Sequence, residues 1–296
     1  MTQLAKKKMS RFFTFAAFTV PATAAILLAV EIPFLMSVVY SFTKWNGLDR
    51  QPVFIGLANY VEIFLDDPDM MAALGFTFQQ TFFRVILTNA IALLLAVLLD
   101  GDIRGKSPLR AAFYIPNIIS LIVIGYIWRF VFSKGFDSFY EITHWNIFML
   151  SWLGDPAMAS LSVLLVSVWQ SIGFYLVIYI AGLQIVPRDV IEAAMIDGAT
   201  ASSRFLKITI PLIMPSITVA VFHSLSNSLK AFDVIFSLTN GGPGVSTTTI
   251  ALDIYKTAFV VSRFGYGTAK SVVLFVIILL LTIFQVKAFK SREVEA

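Results

Sequence analysis

"VPRDVIEAAMIDGATASSRFLKITIP", residues 186–211, is a helix-like stretch of mixed charge set between two long apolar runs. It is too polar to cross a bilayer, so its position decides how the flanking runs are arranged. Asp189 and Glu192 have the spacing of a capping box, with Asp in the usual Ser/Thr place, and Gly198 after Asp197 offers a helix stop. These signals predict a short helix near residues 190–197. Ile191, Ala194 and Met195 fall at i, i+3 and i+4 and make a small apolar patch with Glu192 at its edge. After the turn at Gly198, "TASSRFLKI" predicts a second short helix that leads through Pro211 into the next apolar run. Two readings fit this hairpin. It is an amphipathic segment lying on a bilayer surface, or a rigid knob offered to a partner protein, since Ala193 and Ala194 permit close approach and Gly198 sets the hairpin angle.

The composition supplies the apolar surroundings. The 296 residues are 58% hydrophobic and 14% charged, with a mean hydropathy of +0.82. A soluble domain carries about a quarter of its residues as charges, so this chain is an integral membrane protein. The net charge of +4 includes no basic cluster dense enough for nucleic acid. The absence of cysteine excludes disulfides, thiolate metal sites and cysteine nucleophiles.

A spanning helix needs about 20 mostly apolar residues, each adding about 1.5 Å towards a hydrocarbon core of about 30 Å. Six segments qualify: 12–42, 77–99, 109–132, 159–185, 209–232 and 264–288. The expected fold is therefore an all-α membrane protein of six transmembrane helices. The fourth segment is the clearest, being uncharged over 157–186 and bracketed by Pro156 and Pro187. The second and sixth carry Arg84 and Lys270, expected near their outer ends, where a charged side chain must snorkel or find partners. Lysine and arginine gather before the first segment (Lys6, Lys7, Lys8, Arg11) and after the second (Arg104, Lys106, Arg110). They also follow the fourth (Arg188, Arg204, Lys207) and the sixth (Lys287, Lys290, Arg292). By the positive-inside rule these connections and both termini are cytoplasmic, while the stretch with Glu62, Asp66, Asp67 and Asp69 faces outward. The organisation is then a cytoplasmic N-terminus (1–11), a transmembrane domain (12–288) holding the cytoplasmic loop 186–211, and a cytoplasmic C-terminus (289–296). "ATA" at residues 22–24 imitates a signal-peptide cleavage site, but the apolar pattern continues to Phe42 and reads as a span.

Ionisable residues near the spans have bland explanations. Glu31 lies about 20 residues beyond Arg11, about 30 Å along a helix and towards the outer boundary. Lys230 and Asp233, three apart, are expected to neighbour each other on one helix face as an interfacial pair. His144 and His223 have no companions at ligand spacing, so neither a metal site nor a catalytic residue is expected. "GDIRGKS", residues 101–107, ends like a phosphate-binding loop but has three residues between its glycines instead of four, and it follows a membrane helix instead of a strand. ATP, if it drives this protein, is handled by another subunit.

"EAAMIDGATASSRFLKITIPLIMP", residues 192–215, resembles the EAA loop of binding-protein-dependent ABC importer permeases. Glu192, Ala193, Ala194, Asp197, Gly198, Ala199, Phe205, Ile208 and Pro211 all stand in register with that pattern. "SLTNGGPGVST" (237–247) and "GLANYVEIF" (56–64) resemble segments of the carbohydrate-uptake branch, similar to the maltose and glycerol-phosphate permeases. The resemblance implies a type I ABC importer permease fold in a bacterial or archaeal cytoplasmic membrane. It implies a coupling helix seated in an ATPase cleft, carried here by Glu192, Ala193, Ala194, Met195, Asp197, Gly198 and Phe205. The implied partners are a second homologous permease, two ATP-binding subunits holding ATP and Mg, and an extracytoplasmic solute-binding protein delivering a sugar. The chain itself holds no cofactor and is not an enzyme in this reading.

Candidate cargo contacts share helix faces: Ser167, Gln170, Ser171 and Phe174 in the fourth segment, and Ser224, Asn227 and Ser228 in the fifth. Sugars need amide or hydroxyl partners and an aromatic platform, which Trp169, Phe174 and Tyr175 can supply. Serine and asparagine in spans equally serve to join helices, and that alternative stands. The set is low in charge, which argues against an ionic cargo; a non-sugar solute such as glycerol-3-phosphate is the second reading. An autonomous secondary transporter would show inverted repeats or paired intramembrane charges, and neither is visible.

Overall fold

The computed structural model describes residues 3–101 and 105–291. Arg104 and Arg292, counted above among the cytoplasmic charges, and residues 292–296 of the C-terminal segment lie outside the described residues. In chain order the helices are α1 (Gln3–Ile26), α2 (Ile32–Tyr40), α3 (Ala58–Leu65), α4 (Pro68–Asp100), α5 (Lys106–Ile118), α6 (Leu121–Phe130), α7 (Phe136–Thr143) and α8 (Pro156–Ile185). There follow α9 (Arg188–Ile196), α10 (Ala201–Arg204), α11 (Ile210–Leu212), α12 (Met214–Leu229), α13 (Asp233–Leu238), α14 (Ile250–Tyr255) and α15 (Phe264–Lys290). Wide π-type turns join α1 to α2, α6 to α7 and α10 to α11. A short antiparallel hairpin pairs β1 (Thr43–Lys44) with β2 (Val53–Phe54).

Four helices among the described residues are long and apolar enough to cross a membrane: Thr14–Tyr40, Pro68–Asp100, Pro156–Ile185 and Phe264–Lys290. Where the other two spans are expected, the chain forms pairs of helices that are sharply bent. Lys106–Ile118 meets Leu121–Thr143 at 95°, and Ala201–Leu212 meets Met214–Leu229 at 71°. Proline explains both breaks. Pro116 removes one hydrogen bond from the last turn of α5, and Ile119 and Ser120 are extended, with ψ of 140° and 132°. Pro211 and Pro215 flank Ile213, whose ψ of 7° turns the chain between α11 and α12.

The second span also begins earlier than expected. Asp67 caps α4 by accepting from the Met70 amide at 2.8 Å, and Pro68 occupies the first turn, where a missing amide costs nothing. Arg84 is consequently sixteen residues from either end of this helix, not near its outer end.

The contacts divide the chain into two units. In the first (residues 1–66 and 254–273) no residue of Thr14–Tyr40 is buried, so its apolar surface is left for lipid or another chain. Asn59 ties the β hairpin by donating to the carbonyls of Ser41 and Thr43 at 2.8 and 3.0 Å. The Arg263 guanidinium donates twice to the Glu62 carboxylate at 2.7 Å and lies 4.1 Å from the centre of the Tyr266 ring. Lys270 does not snorkel. It is 2% exposed, donates to Thr257 Oγ1 at 3.2 Å and lies 4.9 Å from the Tyr266 ring centre.

In the second unit (residues 67–253 and 274–296), α8 is the central helix, with 61% of its apolar window buried against 28% for α4. Its lower half packs Leu176, Tyr179, Ile180 and Leu183 against Ala92 and Ala96 of α4 and Ala220 of α12. Lipid tails are as apolar as leucine, so such contacts hold by close packing and by hydrogen bonds between helices. Alanine permits the approach, and glycine takes it further at Gly173. A Cβ built there would lie 2.6 Å from the Phe113 carbonyl carbon and 2.7 Å from Tyr114 Cα, so α5 and α8 touch backbone to backbone.

Candidate functional site

Two concave regions of the second unit contain the residues of interest. The first is a cavity of about 400 Å³ between α4, α5, α8, α12 and the start of α13. Ser167, Gln170, Ser171, Phe174 and Asn227 line it, as the shared helix faces predict. Ser224 and Ser228 do not. Ser224 Oγ instead accepts from Asn89 Nδ2 at 2.9 Å, which ties α12 to α4, and Ser228 is buried outside the lining. Trp169 is also absent from the lining: it is 41% exposed and stacks edge-on with Trp128 at 5.4 Å. The aromatic wall is Phe174 and Tyr175, joined by His223. His223 lies 4.6 Å from the Phe174 ring, centre to centre, and its Nδ1 is 3.2 Å from Tyr175 Oη. Asn227, one turn on, reaches the same imidazole at 3.2 Å.

The expectation of a low-charge site is overturned. Arg84, Lys230 and Asp233 line this cavity together with His223. Lys230 and Asp233 are not the expected pair on one helix face. The chain leaves helical geometry between them, with Lys230 capping α12 and Asp233 opening α13, and they form no ion pair with each other. Arg84 was legible in the sequence only through the Asp67–Pro68 start signal, which moves it to mid-helix. Gln170 Nε2 donates to Asn117 Oδ1 at 3.4 Å, leaving two amides along one wall.

The 237–247 motif and the residues just after it brace this region. Thr247 Oγ1 donates to the Gly242 carbonyl at 2.7 Å, and Thr249 Oγ1 donates to the Ala231 carbonyl at 2.8 Å, the residue after Lys230. Asn240, Gly241 and Gly244 take positive φ, so the motif folds as a tight knot against the break between α12 and α13.

The second region is the hairpin of the opening stretch. Helix α9 is present, but the capping box is not: Pro187 holds the cap position and Asp189 sits inside the first turn, with no side-chain cap. The stop forms as expected. Gly198 has φ +79°, its amide donates to the Met195 carbonyl at 3.1 Å, and the Ala199 amide donates to the Ala194 carbonyl at 2.9 Å, a Schellman closure. Thr200 then caps α10 by accepting from the Ser203 amide, and Arg204 Nη1 donates to the Ala199 carbonyl at 2.7 Å. Glu192, Met195 and Phe205 line a groove of about 550 Å³ with Asp100, Leu183 and Arg188. Ala193, Ala194, Asp197 and Gly198 lie outside that groove, and Ile196 at the tip is 87% exposed.

Residues 102–291 match the family described as binding-protein-dependent transport system inner membrane component. The chain is 38% identical over 292 residues to the probable starch degradation products transport system permease protein of Thermoanaerobacterium thermosulfurigenes, covering 97% of this chain and 99% of that one. It is 32% identical over 289 residues to the multiple sugar-binding transport system permease protein of Streptococcus mutans, covering 98% and 99%. A subunit of a crystallised bacterial ABC transporter involved in import of the acidic polysaccharide alginate has the same fold, with a TM-score of 0.82 at 20% identity over 98% of this chain and 99% of that one. Taken with the EAA-type hairpin, these likenesses mean that the chain belongs to the binding-protein-dependent transport system inner membrane components.

Proposed function

We propose that this chain is one permease subunit of an ATP-driven importer that passes a sugar or oligosaccharide across a bacterial or archaeal cytoplasmic membrane. Its six spans, two of them broken, run with both termini inside, around the transmembrane domain 12–288. An extracytoplasmic binding protein delivers the sugar, a second homologous permease completes the pathway, and two ATPase subunits bind ATP and Mg. The relatives named for starch degradation products and multiple sugars support the cargo class.

The observation that carries the reading is the hairpin 186–211. It is closed at both ends of the turn by backbone and side-chain hydrogen bonds, yet exposes Val190, Met195 and Ile196 on an otherwise polar segment. Such side chains are costly in water and fit a cleft in a partner. Glu192, Ala193, Ala194, Met195, Asp197, Gly198 and Phe205 form the coupling element. Closure of the two ATPases moves it as a rigid lever, tilting the spans it joins between outward and inward access. The cavity lined by Gln170, Phe174 and Asn227 lies on the pathway.

Reconstitution tests this reading. Liposomes holding this chain, its second permease and the ATPases should take up a labelled sugar or oligosaccharide, neutral or acidic, only with ATP and the binding protein present. Uptake by this chain alone would identify an autonomous transporter, and uptake of glycerol-3-phosphate alone would identify the second reading.

A further inference from the structure

The membrane cavity has an excess of positive charge that the importer reading does not use. Arg84 reaches it from the middle of α4, about 24 Å from either helix end at about 1.5 Å per residue. Lys230 reaches it from the broken end of α12. Neither forms an ion pair with a carboxylate among the described residues, and Asp233 is the single carboxylate in the lining. A guanidinium at membrane depth is expensive unless it faces a partner or a water-filled cavity. Two cations against one carboxylate on low-dielectric walls focus a positive potential inside the cavity. The guanidinium fork matches carboxylate or phosphate oxygens in two parallel hydrogen bonds. Beside it stand the Phe174 ring, suited to the apolar face of a pyranose, and the amides of Gln170 and Asn227, suited to hydroxyls. The volume of about 400 Å³ falls within the roughly 300–1,000 Å³ usual for small-molecule sites.

We infer that this cavity receives the anionic group of a charged saccharide, a carboxylate or a phosphate, with Arg84 as its principal contact and Lys230 as the second. The inference rests on the saccharide-importer reading and narrows its cargo. A neutral sugar would leave both cations unanswered, whereas an acidic sugar unit answers them while keeping the stacking and amide contacts.

The test uses the purified membrane complex of this chain with its second permease and ATPases, in lipid nanodiscs. Retention of radiolabelled digalacturonate, glucose-6-phosphate and maltotriose is measured at low ionic strength. At least one anionic saccharide should be held tenfold or more tightly than maltotriose, and added salt should weaken it. Arg84→Gln should abolish that preference and Arg84→Lys should restore part of it, with Lys230→Gln giving a smaller loss. The inference is overturned by maltotriose held as tightly as both anions, by a preference unchanged in Arg84→Gln, or by loss of the second permease from the Arg84→Gln complex, which would place a partner's acid opposite the guanidinium. Retention of no saccharide, with ATP-driven import of maltotriose intact, overturns it and leaves the importer standing. Failure of the complete transporter to import any saccharide would remove both.

Discussion

Tyr179 Oη donates to Asn89 Oδ1 at 2.6 Å, and the same amide donates onward to Ser224 Oγ at 2.9 Å, so one buried asparagine joins α8, α4 and α12. All three residues are at least nine-tenths buried. Tyr179→Phe keeps the ring and strands the Asn89 oxygen, at a cost of roughly 1–3 kcal/mol for a buried acceptor left unpaired. Removing both partners in Tyr179→Phe/Asn89→Leu should cost less than the sum of the single changes, read from thermal unfolding of the purified complex. Additive losses would mean that the bond contributes nothing.

Gly198 ends helix α9 in the hairpin proposed above as the coupling element. No atom lies within 4 Å of a Cβ built there, so the penalty for Gly198→Ala comes from φ +79° alone, roughly 1–2 kcal/mol. Gly198→Asn should be milder because asparagine tolerates that conformation. Uptake should fall severalfold in the alanine variant while ATP hydrolysis and membrane insertion persist, and Gly198→Pro, whose ring fixes φ near −65°, should uncouple more completely. Glu192→Lys is expected to do the same. Unchanged uptake per ATP in all of these would separate the hairpin from the ATPases.

Backbone contact at Gly173 leaves no room for a methyl group. Gly173→Ala must push α5 from α8 and should lower stability by roughly 1–3 kcal/mol, as overpacking does. Gly75 in α4 makes the comparison, since a Cβ there meets nothing within 4 Å. Gly75→Ala should be neutral or stabilising by up to about 1 kcal/mol through helix propensity. Equal melting shifts for the two variants would contradict the close approach.

The Arg263–Glu62 pair has good two-bond geometry, yet both side chains are more than a third exposed. Water and salt screen such pairs, so Glu62→Gln should change stability by less than about 1 kcal/mol. A loss of several kcal/mol would show that the pair is covered in the assembled transporter.

Much of the architecture was legible because hydrophobic length is a local signal. The run 159–185 and the helix Pro156–Ile185 nearly coincide, since aspartate, proline and an uncharged stretch mark its limits directly. The Gly198 stop was legible too, because a left-handed turn is a demand on one residue. The capping box failed because Pro187 had already taken the cap position, and spacing alone does not reveal which residue begins the helix.

Which residues meet in the cavity is a non-local matter. Helical periodicity placed Gln170, Phe174 and Asn227 on suitable faces, but it could not tell that Ser224 would turn to Asn89, or that Trp169 would face away. Sequence by itself determined a membrane chain of apolar helices with a polar hairpin after Ile185, because span length and the glycine turn each act within a few residues. Only the tertiary structure decided that Arg84, Lys230 and Asp233 share one cavity, because that depends on where two prolines bend the chain before α12 and how α4 and α12 are rotated against α8.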